Sequence, residues 1–308
     1  MMLKLNETKI DSLIQKGFLF MFTTSKKLSQ LISKLFITAG ILTVTCATAH
    51  ADLLQDIKDK GEIVVATEAR YTPFEMLEDG KIVGYAKDIL DEIMKDLPGV
   101  KLKQLDLPLQ GILAGLSAKR YDFVVTSLTI TKERAKNYSF TYPISTASVA
   151  ILKRKDDDRI KAPEDMIGKV IGAQSGSPQV NIVKHYEENV LIPQYGKGVK
   201  SIQEFTDYNE AYAALAARRV DLVPQAIPNL APIIKERPEL FEIVQPTFGP
   251  ETYYAWAGRK DSESASLVQF FSNGIEKLQK SGKLAELQMK WFGFTMDVPT
   301  GYVPKPVN

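Results

Sequence analysis

Apolar residues recur along this chain in two alternating rhythms. Glu62–Thr67 (EIVVAT) is a short β-branched run, which predicts a buried strand. Glu78-Asp79-Gly80 then reads as a hairpin turn. Tyr85, Ile89, Ile93 and Leu97 fall every fourth residue, so an amphipathic helix is predicted over Tyr85–Asp96, closed by Pro98-Gly99. Lys101–Asp106 predicts a strand and Leu109–Ala118 a helix with Leu109, Ile112, Leu113 and Leu116 on its apolar face. Asp122–Val125 is the third strand. This βαβαβ order implies a parallel sheet with its ligand side at the carboxyl ends of the strands.

The pattern then restarts. Ser148–Leu152 predicts a strand, and the charged run Lys153–Arg159 a solvated loop. Lys169–Ala173 is a further strand, and Ser177-Pro178 opens a helix running through Glu188. Ser201–Phe205, Asn209–Ala217 and Asp221–Val223 give strand, helix and strand, with Asp207 and Glu210 spaced as a capping box. Thr252–Gly258 is another strand, and Ser262–Lys280 and Lys283–Trp291 are helices broken at Ser281-Gly282. Two βαβ blocks in series with a helical tail predict an α/β protein of two lobes, and clefts between lobes are favoured ligand sites.

The first 51 residues follow a different logic. Lys26, Lys27 and Lys34 precede an uncharged stretch from Leu35 to Ala49, and Ala49-His50-Ala51 offers a small-x-small cleavage site before Asp52. That is the order of a secretory signal peptide, with cleavage after Ala51, and the apolar run is shorter than the roughly 20 residues a membrane span needs. Glu7 and Asp11 are unusual in such a leader, and Met21 would be an alternative start giving one of ordinary length. The leader holds six of the chain's 39 basic and two of its 37 acidic residues, so its removal turns a net +2 into about −2. No basic field then remains to recruit nucleic acid.

The single cysteine, Cys46, also falls in the leader, and Thr45 and Thr43 before it do not fit a lipid-attachment site. With His185 the only histidine beyond the leader, a His/Cys zinc cluster is excluded and no cofactor is expected. The 308 residues, 44% hydrophobic and 25% charged, fit a globular protein of two domains.

The candidate chemistry lies beyond the third strand, in Thr126-Ser-Leu-Thr-Ile-Thr-Lys-Glu-Arg134. Thr126, Ser127 and Thr129 are expected in the loop at the strand's carboxyl end, with Thr131 as the N-cap of the next helix. Arg134 then falls in the first helical turn, where a cation opposes the helix dipole unless an anion meets it. Arginine suits a carboxylate gripped through two hydrogen bonds. A surface ion pair with Glu133 or Asp122 is the competing reading on this fragment. In the second block Gln174-Ser-Gly-Ser-Pro178 joins a strand to a helix N-terminus, a natural anion cradle, although alone it reads more simply as a capped helix. Tyr71 and Leu109 are candidates for an apolar wall, whereas Phe74 is expected in the core. Nothing ties the acidic residues Glu68 and Asp88 together as a catalytic pair.

These segments occur together in one known arrangement. Y-x-P-F-E at Tyr71–Glu75, D-G-x-x-x-G-Y-x-x-D at Asp79–Asp88, the Thr126–Arg134 block, F-x-x-P at Phe140–Pro143, the Q-x-G-S block and R-V-D at Arg219–Asp221 follow in order. Together, over residues 52–295, they resemble the periplasmic solute-binding proteins of polar amino acid ABC transporters, bacterial extracellular solute-binding protein family 3.

The resemblance implies a Venus-flytrap fold of type II with two crossover strands. Lobe 1 would comprise residues 52–146 plus 256–308, and lobe 2 residues 147–255. It implies that Arg134 clamps a ligand α-carboxylate, that Ser127 and Thr129 assist beside Thr126, and that Ser177 adds contacts from lobe 2 next to Gln174. Tyr71 and Leu109 would sandwich the ligand side chain, and Glu68 would meet a basic one. One position departs. Members that bind α-amino acids carry an Asp five residues after the R-V-D aspartate, and here that position is Ala226. Gln225, Asn229 or Glu68 would have to take the α-ammonium, or the ligand lacks one; an unpaired buried ammonium costs several kcal/mol.

The expected protein is therefore a monomeric, non-enzymatic periplasmic receptor that closes on a small carboxylate-bearing solute and delivers it to a membrane permease. The alternative on the same fold resembles secreted cyclohexadienyl dehydratases and would need a carboxylic acid of raised pKa in the cleft, for which Glu68 is the candidate. A sensory input module is a third reading, without a membrane helix or signalling domain to support it.

Overall fold

The computed structural model describes residues 52–307, so the predicted leader lies outside the described residues. Helix α1 (Leu53–Lys60) starts at Asp52, whose carboxylate accepts from the amides of Leu54 and Gln55, and ends at Gly61 in the left-handed conformation. Strand β1 (Glu62–Thr67) follows, then the small sheet of β2 (Arg70–Tyr71), β3 (Glu75–Glu78) and β4 (Lys81–Val83). Gly84, at φ 130°, lies against the backbone of Phe74 where a Cβ would not fit. That close approach lets Tyr85 N and Ala86 N donate to Pro73 O and Phe74 O at 3.0 Å each, seating the Tyr71–Phe74 turn on helix α2 (Tyr85–Met94).

Strand β5 (Lys101–Asp106) has the predicted bounds, and helix α3 (Leu109–Ser117) follows. The first turn of α3 is irregular: Gln110 and Gly111 are non-helical, so Leu109 sits on a bend instead of a helix face. Strand β6 (Phe123–Thr129) corrects a larger expectation, since Thr126, Ser127 and Thr129 belong to the strand and not to the loop beyond it. The strand is longer because β14 (Tyr253–Arg259), remote in sequence, pairs antiparallel with Leu128 and Thr129. Helix α4 (Lys132–Asn137) and strands β7 (Tyr138–Phe140) and β8 (Ser145–Thr146) complete the first lobe's sheet, ordered β5-β1-β6-β14-β7 with β8 on β14.

The chain then crosses to a second sheet. Its strands are β9 (Val149–Arg154), β10 (Val170–Gln174), β11 (Ser201–Phe205), β12 (Leu222–Ala226) and β13 (Phe241–Phe248), in the order β11-β10-β12-β9-β13. Helices α5 (Pro178–Tyr186), α6 (Ile192–Tyr195), α7 (Tyr208–Ala216) and α8 (Ile227–Glu236) pack on it, with a π-helical turn over Glu187–Leu191. After β13 the chain returns through β14 to helices α9 (Ala265–Lys280) and α10 (Lys283–Phe292). The two crossings bind each other: Ala147 N donates to Thr252 O at 2.7 Å, and Thr252 Oγ1 to Ala147 O at 2.8 Å. Each lobe thus has a parallel core flanked by an antiparallel crossing strand, β14 in one and β9 in the other.

The run Lys153–Arg159 is only in part a solvated loop: Lys155, Asp156, Asp158 and Arg159 are exposed in turns, but its first two residues close β9. Lys153, Arg154 and Asp157 are buried. Arg154 donates to Asp157 at 2.9 Å and to the carbonyls of Leu215 and Val220, and Arg159 bridges Asp157 to Asp221. Alternating charges satisfy one another there, which makes their burial tolerable. The arginines hold the Asp157 carboxyl below the ordinary aspartate range.

Candidate functional site

Arg134 is placed by the end of β6 and the start of α4. Thr131 is the N-cap, its hydroxyl accepting from Arg134 N at 3.2 Å. The guanidinium reaches into the cleft, donating to Thr129 O at 3.2 Å and to Gly176 O of the opposite lobe at 3.3 Å. Of the two ion-pair candidates, Asp122 is occupied by Val64 N at 2.7 Å, and no bond joins Arg134 to Glu133 among the described residues. Only two of its five N–H groups are therefore engaged, both by neutral carbonyls. Arg134 is half-buried by its accessible surface, and burial pulls its pKa below the ordinary arginine value. It stays charged at any physiological pH.

Two carboxyls share this side of the cleft. Glu68 follows β1, is buried, and accepts a short hydrogen bond from Gln174 of the second lobe. Burial raises its pKa from 4.5 to about 7, with the Gln174 bond opposing the shift and the charge of Asp207 adding to it. Glu75, in β3, is fully enclosed, and its pKa lies well above the ordinary glutamate value because burial outweighs the hydroxyl of Ser127. Ser127 Oγ donates to Glu75 Oε1 at 2.8 Å, while Glu75 Oε2 has no partner among the described residues. With its proton committed to Glu75, Ser127 turns only lone pairs to the cleft.

The opposing wall is neutral. Gln225 Oε1 accepts from Gln179 Nε2 at 3.0 Å, from Ala226 N at 2.7 Å and from Tyr71 OH at 3.3 Å. Tyr71 and Tyr254 hydroxyls lie 2.5 Å apart, and Asn229 ties Tyr254 OH to Thr72 O. Ala226 is fully buried at the end of β12 and brings no charge. Ser177 occupies the N-cap position of α5, but its hydroxyl does not cap; it meets Tyr208 OH at 3.3 Å.

Nine of the ten residues singled out from the sequence line one cavity, centred between Arg134, Glu68 and Gln179. Gln225 alone stands behind it, acting through Tyr71 and Gln179. The cavity measures only about 20 Å³, room for about one water. The lobes are shut on one another, with Gln110 Nε2 also crossing to the carbonyls of Ser175 and Thr206 at 3.1 Å each. A larger cavity of about 320 Å³ lies beyond Tyr71, between Tyr208, Tyr212 and Asn229, but Arg134 does not reach it. Arg134, Glu68 and the hydroxyls of Thr126, Ser127 and Thr129 converge on the smaller one. Sequence reasoning missed Gln179 and Glu75. Both left a signal: Gln179 lies in the first turn of a Pro-opened helix, and Glu75 is a carboxylate directly after core residue Phe74.

The two-lobed arrangement has known counterparts. Residues 63–294 match the bacterial extracellular solute-binding proteins, family 3. The chain belongs to that family. Among its relatives, the L-cystine-binding protein TcyJ of Escherichia coli K12 is 29% identical over 249 residues, 80% of this chain and 88% of that one. A mutant of ArgBP from T. maritima superposes with a TM-score of 0.66 at 31% identity, covering 78% of this chain and 99% of the other. AncCDT-1, described as an ancestral amino acid-binding protein and precursor of cyclohexadienyl dehydratase, gives 0.67 at 27%, with 78% and 99% covered. The fold is the two-lobed type II periplasmic-binding architecture.

Proposed function

We propose that this protein is the substrate-binding component of an ABC importer for an amino acid or amino-acid derivative, exported to the periplasm and handing its ligand to a membrane permease. The observation that carries this reading is Arg134, a half-buried cleft cation with no carboxylate partner among the described residues. In closure, residues 52–146 plus 256–308 act as one lobe and 147–255 as the other, turning about the paired crossings at Ala147 and Thr252. The ligand's carboxylate replaces Thr129 O and Gly176 O on the guanidinium. Its nitrogen faces acceptors only: Ser127 Oγ, Glu68 and the unpartnered Gln179 Oε1. Leu109 and Tyr71 flank its side chain, while Thr126, Ser177 and Gln174 shape the walls.

The relatives named for cystine and arginine support an amino-acid ligand. Acceptors gathered without a formal aspartate at Ala226 support one whose nitrogen is bound less tightly than by an ion pair. A thermal-shift screen of the mature chain against L-cystine, L-arginine, L-glutamine, their N-acetyl derivatives and simple carboxylates tests the reading, followed by calorimetry on any hit. Stabilisation by carboxylate-bearing compounds alone is expected; a panel in which none stabilises overturns it.

One observation favours a second reading. Glu68, raised to about 7, is poised to deliver a proton inside a closed cleft, and AncCDT-1 stands on the route to a dehydratase. Incubation with prephenate or arogenate decides it: an aromatic product would make the protein an enzyme, and none is expected.

A further inference from the structure

The chain beyond α10 does not trail away from the fold. Met296 N donates to Gln288 Oε1 at 2.8 Å, and Ser145 Oγ meets Met296 Sδ at 3.3 Å, fastening this segment beside β8. Gln279 Nε2 then holds Pro299 O at 3.2 Å, Gly301 turns the chain at φ 78°, and Pro304 is buried. The segment ends against the start of α4. Val307 N donates to Ile130 O at 3.2 Å, and Lys132 N donates to Val307 O at 2.6 Å. Val307 thereby forms a parallel bridge to Thr131, the N-cap three residues before Arg134.

We infer that Phe294–Val307 is a strap whose pairing at Val307 positions Arg134 for its ligand. A helix as short as α4, six residues, has no stability of its own, because nucleation is not recovered over so few bonds. Its orientation must come from outside. On one side Ile130 N is held by Tyr253 O at 3.2 Å, within the sheet. On the other side the strap supplies two backbone partners to the turn: an acceptor for Lys132 N, which no intrahelical carbonyl can serve, and a donor for Ile130 O. The same segment touches Ser145 at the crossing between the lobes, so the strap ties the clamp to the element about which they turn. Val307 is a positioning residue and touches no ligand. Pre-ordering of the Arg134 turn lowers the entropy that the ligand must otherwise oppose on binding.

The inference rests on Arg134 being the carboxylate clamp, and its test separates the two ideas. Val307→Pro removes the N–H given to Ile130 O but keeps the chain length, while Val307→Ala keeps both backbone bonds. Hydrogen exchange of the unliganded protein reads the strap without a ligand. In Val307→Pro the Lys132 amide should lose protection, whereas amides of β1 such as Ile63 should not. Calorimetry with L-arginine and L-cystine reads the consequence. Val307→Pro should weaken whichever binds by about tenfold, as follows if the turn is competent about a tenth of the time, with Val307→Ala near wild type. Equal loss of protection at Ile63 and Lys132 would make the segment a general stabiliser and overturn the strap. So would unchanged affinity in Val307→Pro, or equal weakening in Val307→Ala. If neither probe binds the wild type, the receptor reading is what suffers, and the exchange result alone decides the strap.

Discussion

The two walls of the cleft are built from opposite materials. The first lobe presents ionisable groups: Arg134, Glu68 and, one layer behind, Glu75 through Ser127. The second lobe presents carboxamides, hydroxyls and carbonyls: Gln174, Ser177, Gln179 and Gly176 O, with Gln225 behind. On the proposed function, charge confined to one wall would anchor a ligand before closure, and the neutral wall would add contacts made only when the lobes meet, at little desolvation cost. In the closed arrangement Gln174 meets Glu68 and Gly176 O meets Arg134, so each charged group of the first wall faces a neutral one of the second.

Four changes break or sharpen this contrast. Arg134→Ala removes the anchor and should cost at least about 3 kcal/mol of binding, more than a hundredfold by calorimetry, with the melting temperature little changed. Retained affinity would mean that the neutral wall carries recognition. Ser127→Ala strips the side-chain hydrogen bond from the buried Glu75 carboxyl and should cost about 1–3 kcal/mol of stability in denaturant titration. Ala226→Asp charges the neutral wall. It should lower the unliganded melting temperature, since a carboxylate is buried without a cation, and tighten a free α-amino acid by about tenfold. No tightening would indicate a ligand whose nitrogen is not an ammonium.

The fourth change concerns pH. Glu68 binds its proton more tightly in the closed fold, at about 7, than at its ordinary 4.5. Its contribution to stability is therefore fully present below pH 4.5 and is lost as pH rises through 7. Thermal melts between pH 5 and 8 should show this decline in the wild type and a shallower one in Glu68→Gln. Glu75 is raised as well, so a residual slope toward higher pH belongs to it. Identical profiles in the two proteins would show that Glu68 does not titrate in the closed cleft.

Much of this site was legible in order of residues alone, and the exceptions share a cause. Arg134, its N-cap Thr131 and the Gly176 turn are set by neighbours within a few positions, and they stand where the motif places them. Thr126, Ser127 and Thr129 were expected in a loop because the apolar run stops at Val125. They are strand residues because β14 arrives from more than a hundred positions away to pair with them. Charge alone predicts exposure across Lys153–Arg159, which holds for Lys155, Asp156, Asp158 and Arg159, yet Arg154 is satisfied in the interior by Asp157 and the carbonyls of Leu215 and Val220.

The sequence by itself determined the alternation of elements, the cation at Arg134 in the first turn after Thr131 and the absence of a charge at Ala226. Each is a local property: a hydrophobic period, a capping residue, a side chain with or without an ion. Only the tertiary structure decided that Gln179 lines the cleft beside Arg134, that Glu75 backs it through Ser127 and that Val307 meets Thr131. It also decided that Arg134 faces a neutral wall. Those facts depend on which distant segments fold against one another, and backbone hydrogen bonds such as those of Val307 leave no side-chain signature to read in advance.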